Sequence, residues 1–120
     1  MTDDRPRVTA DALTQCARAI FEAAGLSSDD AAKVSEVLVW ANLRGVDSHG
    51  VIRLPRYLEM INFDLLNPKP NFQILRETPA SIVIDADRAA GAVGMRKAME
   101  HAIFKAKNVG IGWALLRHSS

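Results

Sequence analysis

The chain has 120 residues, of which 48% are hydrophobic, 24% charged and 6% aromatic, a composition typical of a soluble globular domain with one core. Fifteen Lys and Arg residues against fourteen Asp and Glu residues leave a net charge of +1, which disfavours nucleic acid and anionic lipid as partners. The single cysteine, Cys16, has no internal disulfide partner and no metal-ligand spacing around it, so we expect a reducing compartment, the cytoplasm. The polar amino terminus predicts no signal peptide, and no apolar run reaches the roughly 18 residues that a membrane span needs.

Two capped amphipathic helices are predicted after a loose arm over residues 1–8. Thr9 can cap the first helix and Gly25 can end it. Ser27 can cap a second helix over about residues 29–44. The spacing of the apolar positions predicts the following buried residues: Leu13, Cys16, Ala17, Ile20, Phe21 and Ala24 in the first helix, and Val34, Val37, Leu38 and Ala41 in the second.

The rest of the chain changes from helical to strand periodicity. Residues 45–50 predict a tight connection, and a short third helix follows with Pro55 in its first turn. Beyond the break at 67–70, a strand pair is predicted around Phe72–Ile74 and Ile82–Ile84. A helix from Gly91 to about Lys107 and a last strand, Trp113–Leu116, complete the order. On that helix, the apolar face comprises Met95, Ala98, Met99, Ala102, Ile103 and Ala106.

This order predicts an α+β fold, with a helical amino-terminal unit over 1–70 that leads into a sheet domain over 71–120. Three strands and one helix are few for a free-standing sheet. We therefore expect the chain to be a piece of a larger polypeptide.

Four polar residues form the best candidate site. If the third helix began near His49, then His49, Arg53 and Tyr57 would lie four apart along one face, with Ser48 beside them. Arginine is suited to clamp a carboxylate, and histidine can donate a proton near neutral pH. The row would suit a small 2-oxo or 2-hydroxy acid. An alternative stays open, in which Ser48 caps the third helix and the other three are ordinary surface and core residues.

Other polar and aromatic residues have plainer interpretations. Gly91 and Gly94 open a helix after a strand, but their G-x-x-G spacing does not match a dinucleotide-binding turn, so we expect a turn and close helix packing and no Rossmann fold. His118 follows a strand, where a sheet can present polar groups to a ligand, or it is part of a flexible end. The residues expected to be structural or solvated are Cys16 as inert core, Trp40 and Trp113 as packing residues, and His101 as a solvated side chain.

Residues 41–57 read A-N-L-R-G-V-D-S-H-G-V-I-R-L-P-R-Y. This stretch closely resembles the signature of the type-2 malate/L-lactate dehydrogenase family, which also contains ureidoglycolate and sulfolactate dehydrogenases and reductases of cyclic imino acids such as piperideine-2-carboxylate. The resemblance continues through residues 91–94, 110–112 and 117–120. It covers residues 10–120, which correspond only to the amino-terminal part of a family chain.

The resemblance implies hydride transfer with NAD or NADP on a non-Rossmann, largely antiparallel sheet domain, in a homodimer whose active sites lie between domains and subunits. It makes Ser48 and His49 the proton-relay pair, with His49 as the proton donor. It makes Arg53 the carboxylate clamp and Tyr57 a wall of the substrate site. It also implies that the nicotinamide-binding residues and a second histidine lie beyond Ser120.

Two hypotheses therefore stay open. In the first, residues 1–70 carry the substrate site and dimer contacts, and residues 71–120 begin the NAD(P)-binding sheet domain of an oxidoreductase. A second chain would then supply the rest of the enzyme, and the substrate would be a 2-hydroxy or 2-oxo acid of malate, lactate, ureidoglycolate or sulfolactate type, or a cyclic imine. In the second, the chain is a non-catalytic dimerisation or binding module that keeps the fold.

Overall fold

The computed structural model describes residues 3–120, so that Met1 and Thr2 of the predicted arm lie outside the described residues. Within this range the chain forms four α-helices, two short 3₁₀ turns and one three-stranded sheet. The elements are α1 (Ala10–Ala23), α2 (Ser28–Leu43), α3 (Leu54–Asn62), β1 (Gln73–Glu77), β2 (Ser81–Ala89), α4 (Gly91–Val109) and β3 (Trp113–Ser119). The predicted α+β class and order of elements are confirmed.

Local capping chemistry sets the first two helices. The Thr9 hydroxyl accepts a hydrogen bond from the Ala12 N–H at 3.2 Å, and the Ser27 hydroxyl accepts one from the Asp30 N–H at 3.2 Å. α1 and α2 pack against each other, and Phe21 is fully buried between the helices and the start of α4. This core comprises Phe21, Leu26, Ala31, Val34, Leu38, Leu66, Ala90 and Val93.

Several residues predicted to be buried on these helices are exposed. Cys16 is exposed, which corrects its assignment to the core. Val37 is 44% exposed and Ile20 is 36% exposed. The buried stripe is narrower than the sequence pattern because each helix packs along one line of contact, and residues at its flanks stay in solvent.

The sheet has the order β1–β2–β3. β1 and β2 form an antiparallel hairpin, whereas β2 and β3 run parallel because α4 crosses over between them. The larger family sheet was expected to be largely antiparallel, and the three strands here are mixed.

Close packing joins α4 to the sheet. A Cβ added at Gly94 would lie 2.7 Å from Leu116 Cδ2, so glycine lets the Leu116 side chain pack directly on the α4 backbone, and a larger residue would displace it. The expectation that these glycines permit close helix packing is confirmed. At the other end of α4, the buried Lys105 ammonium donates to Glu77 Oε1 at 2.9 Å and to the Thr78 carbonyl at 2.7 Å. This contact ties α4 to the β1–β2 hairpin.

The apolar face predicted on α4 is largely open. Met95 and Met99 are each 57% exposed, and Ile103 is 47% exposed, whereas Ala98 is buried against Ile82 and Ile84. The predicted apolar face of α4 is thus buried at Ala98 and partly buried at Ala102 and Ala106, and the other residues that α4 buries are Val93, Gly94 and Lys105. Trp113 on β3 is also exposed, which corrects its assignment as a packing residue. Over residues 3–120, no helix has the length and apolarity to cross a bilayer.

Candidate functional site

The connection between α2 and α3 is built from two 3₁₀ turns. These are Asp47–His49 and Val51–Arg53, and α3 begins only at Leu54. The prediction of a continuous helix from near His49 is therefore wrong, as is the alternative in which Ser48 caps α3. Pro55 lies in the first turn of α3 as predicted, where its missing N–H costs no helical hydrogen bond.

Ser48 and His49 are in direct contact. Ser48 Oγ lies 2.9 Å from His49 Nδ1, and both side chains are exposed. A hydrogen bond at Nδ1 orients the ring and leaves Nε2 free to face a ligand. The serine and histidine singled out in the sequence thus form one hydrogen-bonded pair.

Arg53 is anchored to the same turn. Its Nε donates to the Ser48 carbonyl at 2.8 Å, which bends the side chain back toward the 3₁₀ turn. Among residues 3–120, the terminal nitrogens of Arg53 have no hydrogen-bond partner. Two parallel N–H groups at the end of the guanidinium therefore remain for a carboxylate.

Tyr57 stands one turn into α3 and is half-buried. Its ring packs edge-on against Phe21, with the ring centres 5.6 Å apart and the planes at 79°. Burial raises the pKa of the Tyr57 phenol, and the positive charge of Arg53 offsets part of this rise. The phenol therefore stays protonated at neutral pH and can donate a hydrogen bond.

A single groove of about 460 Å³ brings His49, Arg53 and Tyr57 together. Its walls come from α2, the 3₁₀ turns, α3 and the end of β3; the lining residues are Val37, Leu38, Trp40, Ala41, Val46, His49, Arg53, Arg56, Tyr57, Met60 and Ser120. Two arginines are in this set, and among the described lining residues there is no Asp or Glu. The groove therefore favours a small anion with a short apolar part.

Two residues of this region were not identified as site residues from the sequence. Trp40 was expected to be a packing residue, but it is 58% exposed and lines the groove. Asn42 hydrogen-bonds to both ends of the turn that carries Ser48 and His49. The only sequence signal for Asn42 is its place at the end of α2, three residues before Gly45.

His118 lies away from the groove. Its Nδ1 is 2.8 Å from Asp85 Oδ2, and Arg117 Nε is 3.4 Å from the same oxygen. A hydrogen bond from the Asp87 N–H lowers the pKa of Asp85, and the charge of His118 contributes further. His118 belongs to an ion cluster in which Asp85 of β2 faces Arg117 and His118 of β3, and it is not brought together with His49.

The residues present do not form a cradle for a nicotinamide dinucleotide. The Gly91 N–H, which a pyrophosphate would need, donates to the Ser120 carbonyl at 2.7 Å, and Gly94 is closed off by Leu116. Within the described range, no three His, Cys, Asp or Glu side chains gather as metal ligands. The groove has the size and the polar groups suited to a small acid, and among the described residues nothing forms a cradle for the dinucleotide.

Comparisons with known proteins show which family the chain resembles. A family described as Malate/L-lactate dehydrogenase matches residues 8–120. The chain is 44% identical over 96 residues to the L-sulfolactate dehydrogenase of Methanocaldococcus jannaschii, covering 80% of this chain and 28% of that protein. It is 43% identical over 88 residues to the ureidoglycolate dehydrogenase (NAD(+)) of Escherichia coli K12, covering 73% of this chain and 25% of that protein.

A solved structure matches the whole fold. The malate dehydrogenase of Pyrococcus horikoshii OT3 superposes with a TM-score of 0.96 and 38% identity, over 100% of this chain and 35% of that one. The chain thus spans about a quarter to a third of the length of these relatives. With a family match over nearly its full length and this agreement in fold, the chain belongs to the malate/L-lactate dehydrogenase family.

Proposed function

We propose that this chain is the substrate-binding part of a dehydrogenase that uses NAD or NADP to interconvert a small 2-oxo acid and its 2-hydroxy acid. The observation that carries the proposal is the meeting of His49, Arg53 and Tyr57 in one groove whose described lining residues include no carboxylate. The names of the three relatives describe enzymes that act on sulfolactate, ureidoglycolate and malate. Each of these compounds has a carboxylate beside a carbon that bears a hydroxyl.

In this proposal His49 moves the proton. Reduction of a 2-oxo acid adds a hydride to the carbonyl carbon and a proton to the carbonyl oxygen, and the cofactor supplies the hydride when bound. Protonated His49 donates from Nε2 to the oxygen, while its Nδ1–H donates to Ser48 Oγ across the observed 2.9 Å contact. Ser48 thereby orients the ring and completes the relay to solvent. In the reverse reaction, neutral His49 removes the hydroxyl proton.

Arg53 holds the carboxylate of the substrate. Because Nε is occupied by the Ser48 carbonyl, the two terminal nitrogens present their N–H groups side by side. The same carbonyl belongs to the residue that contacts His49, so the clamp and the proton donor share one turn of backbone. Tyr57 closes the wall of the site and offers its protonated phenol to the acid.

We further propose how this chain contributes to a whole enzyme, through the dimer contacts and the cofactor-binding domain. Residues 1–70 provide the substrate side and contacts of a homodimer, and residues 71–120 begin the sheet domain that binds NAD or NADP. Because Ser120 lines the groove, the next residue of a family chain, expected to be a second histidine, would follow close to His49. We define the assembled enzyme as this chain together with the part of the family enzyme that it does not span, and we propose that it works in the cytoplasm.

A chimera tests the proposal. This chain replaces the matching amino-terminal part of the Pyrococcus horikoshii malate dehydrogenase, and reduced nicotinamide is followed with oxaloacetate, pyruvate, a sulfonated 2-oxo acid and a cyclic imine. We expect consumption of NADH or NADPH with at least one of them, and its loss in His49→Ala. A folded chimera that binds reduced nicotinamide but reduces none of them would contradict the proposal and favour the non-catalytic binding module. The intact mass of the native preparation shows whether a second chain accompanies this one.

A further inference from the structure

One side chain holds the turn that carries Ser48 and His49 to α2, in addition to the backbone bond from the Val46 N–H to the Ala41 carbonyl at 2.9 Å. Asn42 Nδ2 donates to Asp47 Oδ1 at 2.8 Å, and Asn42 Oδ1 accepts the Val51 N–H at 2.9 Å. The two bonds lie on either side of Ser48 and His49 in the chain. A single amide therefore spans the segment that bears the proposed proton relay.

The absence of a side chain at Gly50 leaves the space that this amide occupies. Gly50 is buried, and a Cβ added there would overlap the amide group of Asn42. The backbone bonds of the turn are local, from His49 N–H to the Val46 carbonyl at 3.0 Å and from Gly50 N–H to the Asp47 carbonyl at 3.0 Å. Asn42 fills the space that the glycine leaves free.

Packing holds only the carboxyl end of this segment. Gly50 is buried and Val51 packs against the core, whereas Ser48, His49 and Arg53 are exposed, so the positions of these three side chains depend on hydrogen bonds. Arg53 Nε donates to the Ser48 carbonyl at 2.8 Å, so the position of the guanidinium depends on the position of the turn. A shift of about 1 Å in such a group can reduce a rate about 10²-fold.

We propose that Asn42 is a positioning residue for the reaction, which fixes the Asp47–Val51 turn so that His49 and Arg53 address the same substrate. The inference rests on the proposed function for its catalytic consequence. The positioning itself follows from the hydrogen bonds alone and can be measured without substrate.

The first test replaces Asn42 with Ala in the chimera described above. We expect kcat/KM to fall about 10–100-fold, because His49 and Arg53 lose their fixed relation. In the 120-residue chain, hydrogen exchange of the Val51 amide should become about tenfold faster, because its acceptor is removed. Asn108→Ala, at the exposed end of α4, is the matched control and should change neither quantity.

Two single variants and their double variant separate loss of positioning from general loss of structure. Asn42→Asp keeps an acceptor for Val51 but sets a carboxylate against Asp47, so the turn should be repelled and kcat/KM should fall. Asp47→Asn alone keeps an acceptor for the Asn42 amide and should have a small effect. The double variant N42D/D47N restores a donor and an acceptor with exchanged roles, and it should recover kcat/KM to within about threefold of the parent.

The outcomes are distinct. Recovery in the double variant, together with slow Val51 exchange, supports the inference. An Asn42→Ala protein with unchanged kcat/KM and Val51 exchange would overturn it, and so would a double variant as impaired as Asn42→Asp. If Val51 exchange follows the predicted order but the parent chimera reduces no acid, the proposed function fails while the structural role of Asn42 stands.

Discussion

The two halves of the molecule differ in how completely their functional surfaces are held in place. The turn between α2 and α3 is largely exposed, yet hydrogen bonds within the chain hold it through Asn42, the Ser48–His49 contact and the Arg53–Ser48 bond. The sheet half is well packed on one side, where Gly94 meets Leu116. On its other surfaces it leaves Met99 and Trp113 more than half exposed.

This difference separates two requirements of an active site. A hydrogen-bonded turn of a few residues can preorganise a proton donor and a carboxylate clamp without a large core around it. A sheet with open apolar faces is typical of a surface that another polypeptide covers. We therefore expect changes in the turn to alter chemistry, and changes on the open faces to alter association.

The largest effect is expected from His49→Ala. In the assembled enzyme, loss of the proton donor should reduce kcat about 10²–10⁴-fold with little change in substrate affinity. Steady-state kinetics of 2-oxo acid reduction measure both. His101→Ala, on α4 and outside the groove, is the matched control. If the His49→Ala enzyme kept near-normal turnover, the proton donor would be another group.

A smaller and different effect is expected from Arg53→Ala. Removal of the two parallel N–H groups should raise KM about 10–100-fold, since a hydrogen bond to a charged group contributes about 1.5–3 kcal/mol. Arg53→Lys should recover only part of the affinity, because an ammonium cannot make both bonds. Arg96→Ala serves as the control, because the Arg96 guanidinium bonds to Glu36 and neither residue lines the groove. Equal increases of KM in Arg53→Ala and Arg96→Ala would contradict the role of Arg53 as the carboxylate clamp.

The open faces should make the isolated chain associate. Replacing Met99 or Ile103 with Glu should raise the dissociation constant of self-association about tenfold or more per residue. The reason is that burial of such an apolar side chain stabilises a contact by about 1.5–3 kcal/mol. Sedimentation velocity measures this, with Lys107→Glu as the control on a charged part of α4. A monodisperse monomer with a sharp cooperative melt would contradict this view of the sheet half.

The smallest effect concerns Glu77. Its hydrogen bond from Lys105 lowers the pKa of Glu77 below the ordinary value of 4.5. The stabilisation is therefore present above pH 4.5 and is lost as the pH falls through the lower pKa of the folded state. Glu77→Gln should lower Tm near neutral pH and make Tm less dependent on pH below 4.5. Glu100→Gln is the control, and identical pH dependence of the two variants would exclude the effect.

The sequence was sufficient to predict the elements because their signals are local. Thr9 and Ser27 cap helices through groups three residues away, and the changes of period mark the hairpin and α4. Burial was predicted less well, as Cys16 and Met95 illustrate, because periodicity identifies an apolar face but not the neighbour that covers it. The parallel pairing of β3 likewise depends on where α4 returns the chain.

For the candidate site, the sequence likewise indicated the residues but not their arrangement in space. Residue type and spacing made His49, Arg53 and Tyr57 candidates, and only the family resemblance gave them roles. The structure brings all three to one groove. The predicted helical row was the wrong geometry, since two 3₁₀ turns place the first two. Asn42 was missed because its role depends on the folded turn, where Gly50 leaves room for its amide.

The most direct test of the central claim, that His49 delivers the proton, is the pH dependence of kcat in the assembled enzyme. We expect reduction of a 2-oxo acid to slow as the pH rises, because reduction needs the proton that His49 delivers, and the reverse oxidation to accelerate as the pH rises. In His49→Ala both dependences should disappear, with the rate of reduction about 10²–10⁴-fold lower. A His49→Ala enzyme that keeps the parent pH profile and turnover would contradict the account.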